Sequence, residues 1–350
     1  MVGRVAFAVP GDLATPTGGY AYDARIIKEL SLAGWQVDVV NLGDGFPFPS
    51  VERRRSAEAK LSAIPAGCPV VVDGLALGVL PETGARLGSD RPLIALVHHP
   101  LACEAGLTAA EVKAFHASEC AALAGSVRVV VTSESTARIL VADFAVPAER
   151  ITVARPGVDP VPPAHGSRDG IVRLLSIGSV VPGKGYDVLV AAMAALTDLP
   201  WRLAIAGDRT RNLPTAARLD ADIAGYGLGD RVAVLGAVSR ERIAELYMES
   251  DLFVLASRFE GYGMAIAEAI AHGLPVVSTT AGAIPDTVPA GTGILVPPED
   301  AAPLAAAIRR LVQAPEERRQ LADAARLAAA QLPAWRDSGR LFAGAIEAVT

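Results

Sequence analysis

The chain has 350 residues, about half of them apolar, with a net charge of −6. At roughly 100–200 residues per domain this predicts two packed cores and argues against disorder, and the acidic balance leaves no global basic field for nucleic acid. The three scattered cysteines, Cys68, Cys103 and Cys120, form no CxxC pair; they read as small buried hydrophobes in a reducing compartment, with neither a metal nor a disulfide role.

The first strand-like run is 4–9, RVAFAV. It lacks the basic region, longer apolar core and cleavage site of a signal peptide. No segment has 18 or more apolar residues, so none is expected to span a bilayer, and the expected location is cytoplasmic. Pro10-Gly11-Asp12 follows, and then Thr17-Gly18-Gly19-Tyr20 opens a helix over 19–33. Paired glycines admit a ligand close to the backbone, and a helix N-terminus attracts anions; a simple turn is the plain alternative. The full G-x-G-x-x-G fingerprint of a dinucleotide site is missing.

Val-rich runs at 35–40, 68–72, 93–97 and 127–131 read as strands, and 52–63, 108–124 and 134–143 as helices. Continuous apolar strands with helical crossovers predict a parallel sheet. Arg53-Arg54-Arg55 lies between Glu52 and Glu58. A solvated helix face is its ordinary reading; a weak membrane-surface or anionic-acceptor contact is the other. His98-His99-Pro100 follows the 93–97 strand. A histidine at a strand's carboxyl end, facing a cleft, can hydrogen-bond a sugar hydroxyl or shuttle a proton, or be a satisfied structural side chain. A zinc pair is disfavoured, because adjacent residues seldom converge on one ion.

Residues 156–170, PGVDPVPPAHGSRDG, read as a linker, since proline and glycine at that density stop both helix and strand. The strand–helix rhythm then resumes, with strands near 171–177, 201–206, 231–235, 251–255, 274–278 and 293–296. Helices alone follow, near 300–313, 315–330 and 334–348. The expectation is therefore an α/β protein with two Rossmann-like domains, 1–158 and 159–330, whose parallel sheets face a central cleft. A last segment, 331–350, would pack back on the first domain. Ligands bind outside the carboxyl ends of strands in such sheets.

After the 171–177 strand come Gly178-Ser179 and then Pro182-Gly183-Lys184-Gly185. A lysine at a glycine-bounded helix start can neutralise phosphate, but Gly185 stands where a P-loop needs Ser or Thr. The most informative stretch is 257–275, SRFEGYGMAIAEAIAHGLP. Glu260 ends a loop, Gly261, Tyr262 and Gly263 present a turn of backbone N–H groups, and a helix carries Met264 and Glu268 on one face. Two acids around a helix N-terminus can meet two parts of one polyol ligand while the N-terminus lies near its phosphates. A surface-facing Glu268 is the alternative. The one DxD sequence, Asp220-Ala221-Asp222, lies in a helical stretch that sends its two carboxylates about 200° apart, which is unsuited to clamping a metal.

Together these residues resemble glycosyltransferase family 4, retaining enzymes of the GT-B architecture that use nucleotide-sugar donors. The resemblance is most specific at Glu260-x7-Glu268. It extends to Gly282-Ala283-Ile284-Pro285-Asp286, to 293–300 (GILVPPED), to Pro156-Gly157-Val158-Asp159 and to Ser133-Glu134-Ser135, with Gly18-Gly19 and His98 in matching order. It implies that Glu268 binds the donor's ribose and that Glu260, with the backbone of Gly261, Tyr262, Gly263 and Met264, holds the transferred sugar. Lys184 would hold the diphosphate, His98 would sit beside the reacting centre, and Gly19 would let the first domain close on the phosphates. His98, Glu260 and Lys184 form the catalytic set, no metal or other cofactor is implied, and the acceptor is a small molecule, a glycan or a lipid-linked sugar. Two positions depart from the family: Ser179 stands where Arg is common, and Asp286, after Ala283, stands where the family has Glu after Gly. The rival functions are a GT-B sugar-nucleotide epimerase, a non-catalytic nucleotide-sugar binding protein and, third, a nicotinamide dehydrogenase.

Overall fold

The computed structural model describes residues 3–350. The chain divides into two compact units, Met1–Gly157 with Pro333–Thr350, and Val158–Leu332.

The first unit holds a six-stranded sheet. Its strands are β1 (Arg4–Val9), β2 (Gln36–Asn41), β3 (Val70–Asp73), β4 (Leu93–Val97), β5 (Arg128–Val131) and β6 (Ile151–Val153). They lie in the order β2-β1-β3-β4-β5-β6, all parallel. β3 and β4 are buried at every position, so each is one apolar run with no alternation. The half-buried three-residue strand β6 is an addition to the five strands legible in the sequence. The Trp335–Glu347 helix belongs to this unit. Phe342 stacks on Phe7 of β1 at 6.0 Å, and Ser338 Oγ donates to the Arg155 carbonyl at 2.5 Å. A Cβ on Gly157 would lie 2.2 Å from the Trp335 nitrogen, so only glycine admits that helix start.

The second unit also has six parallel strands: β7 (Val172–Ile177), β8 (Trp201–Ala206), β9 (Val232–Gly236), β10 (Leu252–Leu255), β11 (Val276–Thr279) and β12 (Gly293–Val296). Their order is β12-β11-β10-β7-β8-β9. Successive residues face opposite sides of the sheet, and both sides are apolar: Leu174, Leu203 and Val254 pack in one core, Leu175, Phe253 and Leu255 in the other. The order reverses between β7 and β10, and the loops leaving their carboxyl ends flank that reversal, where doubly wound sheets bind ligands. In the first unit the same reversal falls between β1 and β3. The two units match the GT-B class of α/β fold.

The proline-rich stretch read as a linker is pinned to the second unit. The Ala164 amide donates to the His272 carbonyl at 2.7 Å, His272 Nδ1 lies 2.9 Å from the Pro162 carbonyl oxygen, and the Ser167 amide donates to Asp251 at 3.0 Å. Among the described residues no helix is long and apolar enough to cross a membrane.

Candidate functional site

In the second unit, the loop after β7 makes a single tight turn over Pro182–Lys184 and ends at Gly185, whose φ of 62° is left-handed. A Cβ there would lie 2.1 Å from the Ala256 carbonyl oxygen, so the close approach of the two loops demands glycine. The Lys184 stem lies along Gly178, where a Cβ would stand 3.1 Å from Cε, with the half-buried Ser179 next in sequence. Lys184 Nζ donates to Glu260 Oε1 at 2.5 Å, and Ser257 Oγ donates to the same oxygen at 2.6 Å. The cation and the acid that the sequence assigned to separate parts of a ligand are thus partnered with each other.

Arg258 builds this arrangement. Its guanidinium donates to the Pro182 carbonyl at 2.6 Å and pairs with Asp187 at 2.8 Å and Glu299 at 3.0 Å, tying the β7 and β10 loops together. On the other side of Glu260, the Ala283 amide donates to its carbonyl at 2.8 Å, and a Cβ on Gly282 would lie 2.3 Å from that carbonyl oxygen.

Gly263, at φ 91°, caps the Met264–Ala271 helix without a side-chain hydrogen bond. Tyr262 is buried, and Met264 and Glu268 are half-buried. The surface-facing alternative for Glu268 therefore fails: Tyr247, itself buried and stacked on His272 at 4.9 Å, donates its hydroxyl to Glu268 Oε2 at 3.0 Å. Burial pushes the Glu268 carboxyl up, Tyr247 and Arg240 pull it down, and the net direction is upward. Glu260 and Glu268 thus have different supports, Lys184 and Ser257 for one and Tyr247 for the other.

In the first unit, His98 follows β4, Asp73 ends β3, and Asp23 lies one turn beyond Gly19 on the Gly18–Leu32 helix, which is capped by Thr17. His98 Nε2 is 3.1 Å from Asp23 Oδ1 and 3.4 Å from Asp73 Oδ2. Asp23 and Asp73 are buried at 0% and 2% exposure, and the His98 side chain is 20% exposed. The histidine expected to face a cleft at the strand's carboxyl end is mostly enclosed, its ring held between two buried carboxylates. His99 points elsewhere, to Glu104 at 2.9 Å. A Cβ on Gly19 would lie 3.4 Å from the His98 ring, so Gly19 leaves room for that ring. Burial alone would lower the imidazole pKa; the charges and hydrogen bonds of Asp23 and Asp73 outweigh it and raise it to about 10. Burial and then the Asp73 charge push Asp23 up to about 7, against the pull of His98. Burial also acts upward on Asp73, but its bonds to His98 hold it below the ordinary carboxylate value.

Asp23, Asp73 and His98 are the one group among the described residues whose ligand atoms, within 4.8 Å of one another, could hold a metal ion. Asp220 and Asp222 lie in the Leu213–Gly225 helix, paired with Arg209 and with Arg218, so the DxD side chains are engaged separately.

The sequence profile described as Glycosyl transferases group 1 matches residues 160–328. An MMP alpha-(1->4)-mannosyltransferase of Mycolicibacterium hassiacum is 30% identical over 83% of this chain and 73% of its own length. The chain belongs to the group 1 glycosyl transferases.

This glycosyltransferase also aligns with a D-inositol 3-phosphate glycosyltransferase of Catenulispora acidiphila at 32% identity, over 57% of the chain and 52% of that relative; the match thus spans about half the relative's length. Among solved structures, sucrose-phosphate synthase from Thermosynechococcus elongatus superposes with a TM-score of 0.84 at 22% identity, covering 99% of this chain and 98% of the other. Anabaena HepE in complex with UDP and glucose superposes at 0.77 and 19%, covering 98% and 99%. At these identities the likeness is one of fold.

Four residues at these sites escaped the sequence reading: Asp23, Asp73, Tyr247 and Arg258. Asp73 ends the VVVD strand, a position where ligand-facing residues are sought. Asp23 shares a helix face with Gly19, four residues earlier. Tyr247 and Arg258 gave no signal, because their partners are distant in sequence.

Proposed function

We propose that this enzyme is a retaining family 4 glycosyltransferase that transfers a hexosyl group from a nucleoside diphosphate sugar to a hydroxyl acceptor. The observation that carries the reading is the Lys184–Glu260 pair at the β7/β10 reversal, which puts a cation and a carboxylate where such sheets bind ligands. On donor binding, Lys184 exchanges its carboxylate partner for the diphosphate, and Glu260 accepts hydrogen bonds from the sugar hydroxyls. On this reading the backbone of Gly261, Tyr262, Gly263 and Met264 borders the sugar and Ser179 the phosphates, and the family resemblance further assigns the Gly18-Gly19 turn to the phosphates and His98 to the sugar. Glu268, oriented by Tyr247, accepts from the ribose hydroxyls. As the glycosidic C–O bond breaks, the leaving phosphate oxygen gains charge, which Lys184 and the helix N-termini stabilise. That phosphate takes the acceptor's proton as the acceptor oxygen bonds the anomeric carbon on the same face. The reading assigns no metal or other cofactor and a cytoplasmic location. Transfer of mannose or another hexose is supported by the name of the Mycolicibacterium relative, and a nucleotide donor by the UDP bound in the Anabaena neighbour.

The test is a thermal-shift panel of nucleotide sugars, in which the true donor raises the transition by mass action, followed by NMR of the product's anomeric configuration. Failure of every donor to shift the transition, or an inverted product, refutes the reading. An epimerised donor in the absence of acceptor would favour the epimerase.

A further inference from the structure

The cluster around His98 goes beyond what the transfer reading requires of it. One ring nitrogen faces two carboxylates, at 3.1 Å and 3.4 Å. The acids come from different elements, Asp23 from the Gly18–Leu32 helix and Asp73 from the end of β3. Asp73 is itself fixed, since its Oδ1 accepts the Leu75 amide at 2.6 Å and caps the short helix that follows. Asp23 Oδ2 is buried with no hydrogen-bond partner. Edge-on to the imidazole, at 5.3 Å between ring centres, stands Tyr22, whose hydroxyl donates to the Ala154 carbonyl at 2.8 Å. On the backbone, Thr132 Oγ1 donates to the His98 carbonyl at 3.1 Å. The ring is therefore held from its helix side, its strand side and its flank.

Two ionised carboxylates buried side by side without a cation are strongly unfavourable. A neutral imidazole with its Nε2 lone pair toward them would add a third acceptor to a set with no donor, and one that donates Nε2–H would satisfy the oxygens but leave both buried negative charges uncompensated. An imidazolium whose Nε2–H points at both oxygens resolves the conflict, leaving one remaining negative charge over the three groups. A single proton on Asp23, shared toward Asp73, removes that as well. The groups facing His98 are thus Asp23, Asp73 and the uncharged Tyr22.

We propose that Asp23 and Asp73 are positioning residues that keep His98 as an imidazolium, so that it acts in transfer as a fixed cationic hydrogen-bond donor and takes no proton from the acceptor. Nε2–H is committed to the carboxylates, and Nδ1–H is the donor left for a substrate oxygen. A general-base role is excluded, because an imidazolium has no lone pair to accept the acceptor's proton. The proposal rests on the transfer reading only for the place of His98 beside the sugar; its protonation state can be measured without a substrate.

The experiment is nitrogen-15 NMR of histidine-labelled full-length protein, with His98→Gln to assign the ring signals. Both His98 ring nitrogens should stay protonated from about pH 6 to about pH 9, while exposed histidines titrate near the ordinary ~6.5. In Asp23→Asn/Asp73→Asn the His98 titration should drop by at least about two pH units, and Asp73→Asn alone should show part of that fall. His98 titrating near neutral pH in the unaltered protein, or unmoved by the double substitution, overturns the proposal. Kinetics supply the second arm. Asp73→Asn should lower kcat about tenfold with little change in donor KM, as expected for one charge-assisted contact made near the reacting bond. The kcat profile of the unaltered enzyme should show no acid-side limb from His98. An acid limb that disappears in His98→Gln would make His98 the base and overturn the proposal. An unaltered kcat in Asp73→Asn, with His98 charge lost in the NMR, would count against His98's place beside the sugar while leaving the pairing standing.

Discussion

Removing the Lys184 ammonium should damage both the fold of the second unit and the chemistry, and the two effects are separable. Lys184 is 24% exposed and Glu260 10%. Breaking a fully buried ion pair costs about 3–5 kcal/mol, and an exposed one about 0–1 kcal/mol. With these exposures, and with Ser257 still donating to the carboxylate, Lys184→Ala should destabilise the second unit by about 1–3 kcal/mol. The denaturation transition of the Val158–Leu332 unit, followed with and without the substitution, reads this term directly. The catalytic loss should be larger. A diphosphate gains charge as the sugar leaves, and Ser179 offers only a hydroxyl beside it. Helix N-termini add roughly 0.3–1 kcal/mol each, too little to stabilise that charge alone. Loss of one donor of this kind lowers kcat/KM about a hundredfold or more. The double variant Lys184→Met/Glu260→Gln removes both charges, so it should recover most of the stability and none of the activity. Arg209, which follows β8, is paired with Asp220, and Arg209→Ala should remain active. A near-normal kcat/KM for Lys184→Ala, with Arg209→Ala or Arg211→Ala inactive, would refute the assignment of the diphosphate cation.

Glu268→Ala should weaken nucleotide affinity by about 1–3 kcal/mol by leaving ribose hydroxyls unpaired; Tyr247→Phe should weaken it less and move the Glu268 titration further upward, both readable by calorimetry across pH. His98→Ala should lower kcat more than donor affinity, in steady-state kinetics with the natural acceptor. Activity should survive EDTA, because the DxD carboxylates are engaged with Arg209 and Arg218 and those of Asp23 and Asp73 with His98; loss with EDTA and recovery with manganese would contradict this. The first unit's stability should fall as pH rises from about 6.5 to about 10, since His98 is held protonated in the folded state and releases its proton sooner when unfolded. Asp23, raised to about 7, acts in the same sense between about 4 and 7, and urea titrations of the His98→Gln protein should lack the alkaline part of the fall.

The two-sheet architecture was legible because its strands are buried on both faces. β4 and β10 are apolar at every position, and such runs separated by amphipathic stretches admit few other folds. β6 was not legible, since three half-buried residues at a sheet edge carry too little pattern. The unit boundary near 157–158 and the last helix could be suspected from proline, glycine and order, but the Phe342–Phe7 stack is a tertiary fact.

At the candidate sites, the sequence alone singled out the loops after β7 and β10. Glu260, Gly263 and Glu268 are close in the chain, so helix geometry alone relates them, and Lys184 is marked by its glycine-bounded turn. Tertiary structure decided the partnerships. Lys184 and Glu260 are 76 residues apart, and the reversal of strand order between β7 and β10 brings their charges within 2.5 Å. Asp23 and His98 are 75 residues apart and come from different layers of the fold. Local patterning records which face of an element is buried, whereas the pairing of two buried charges depends on which strand ends lie side by side, and that is settled only when the sheet assembles.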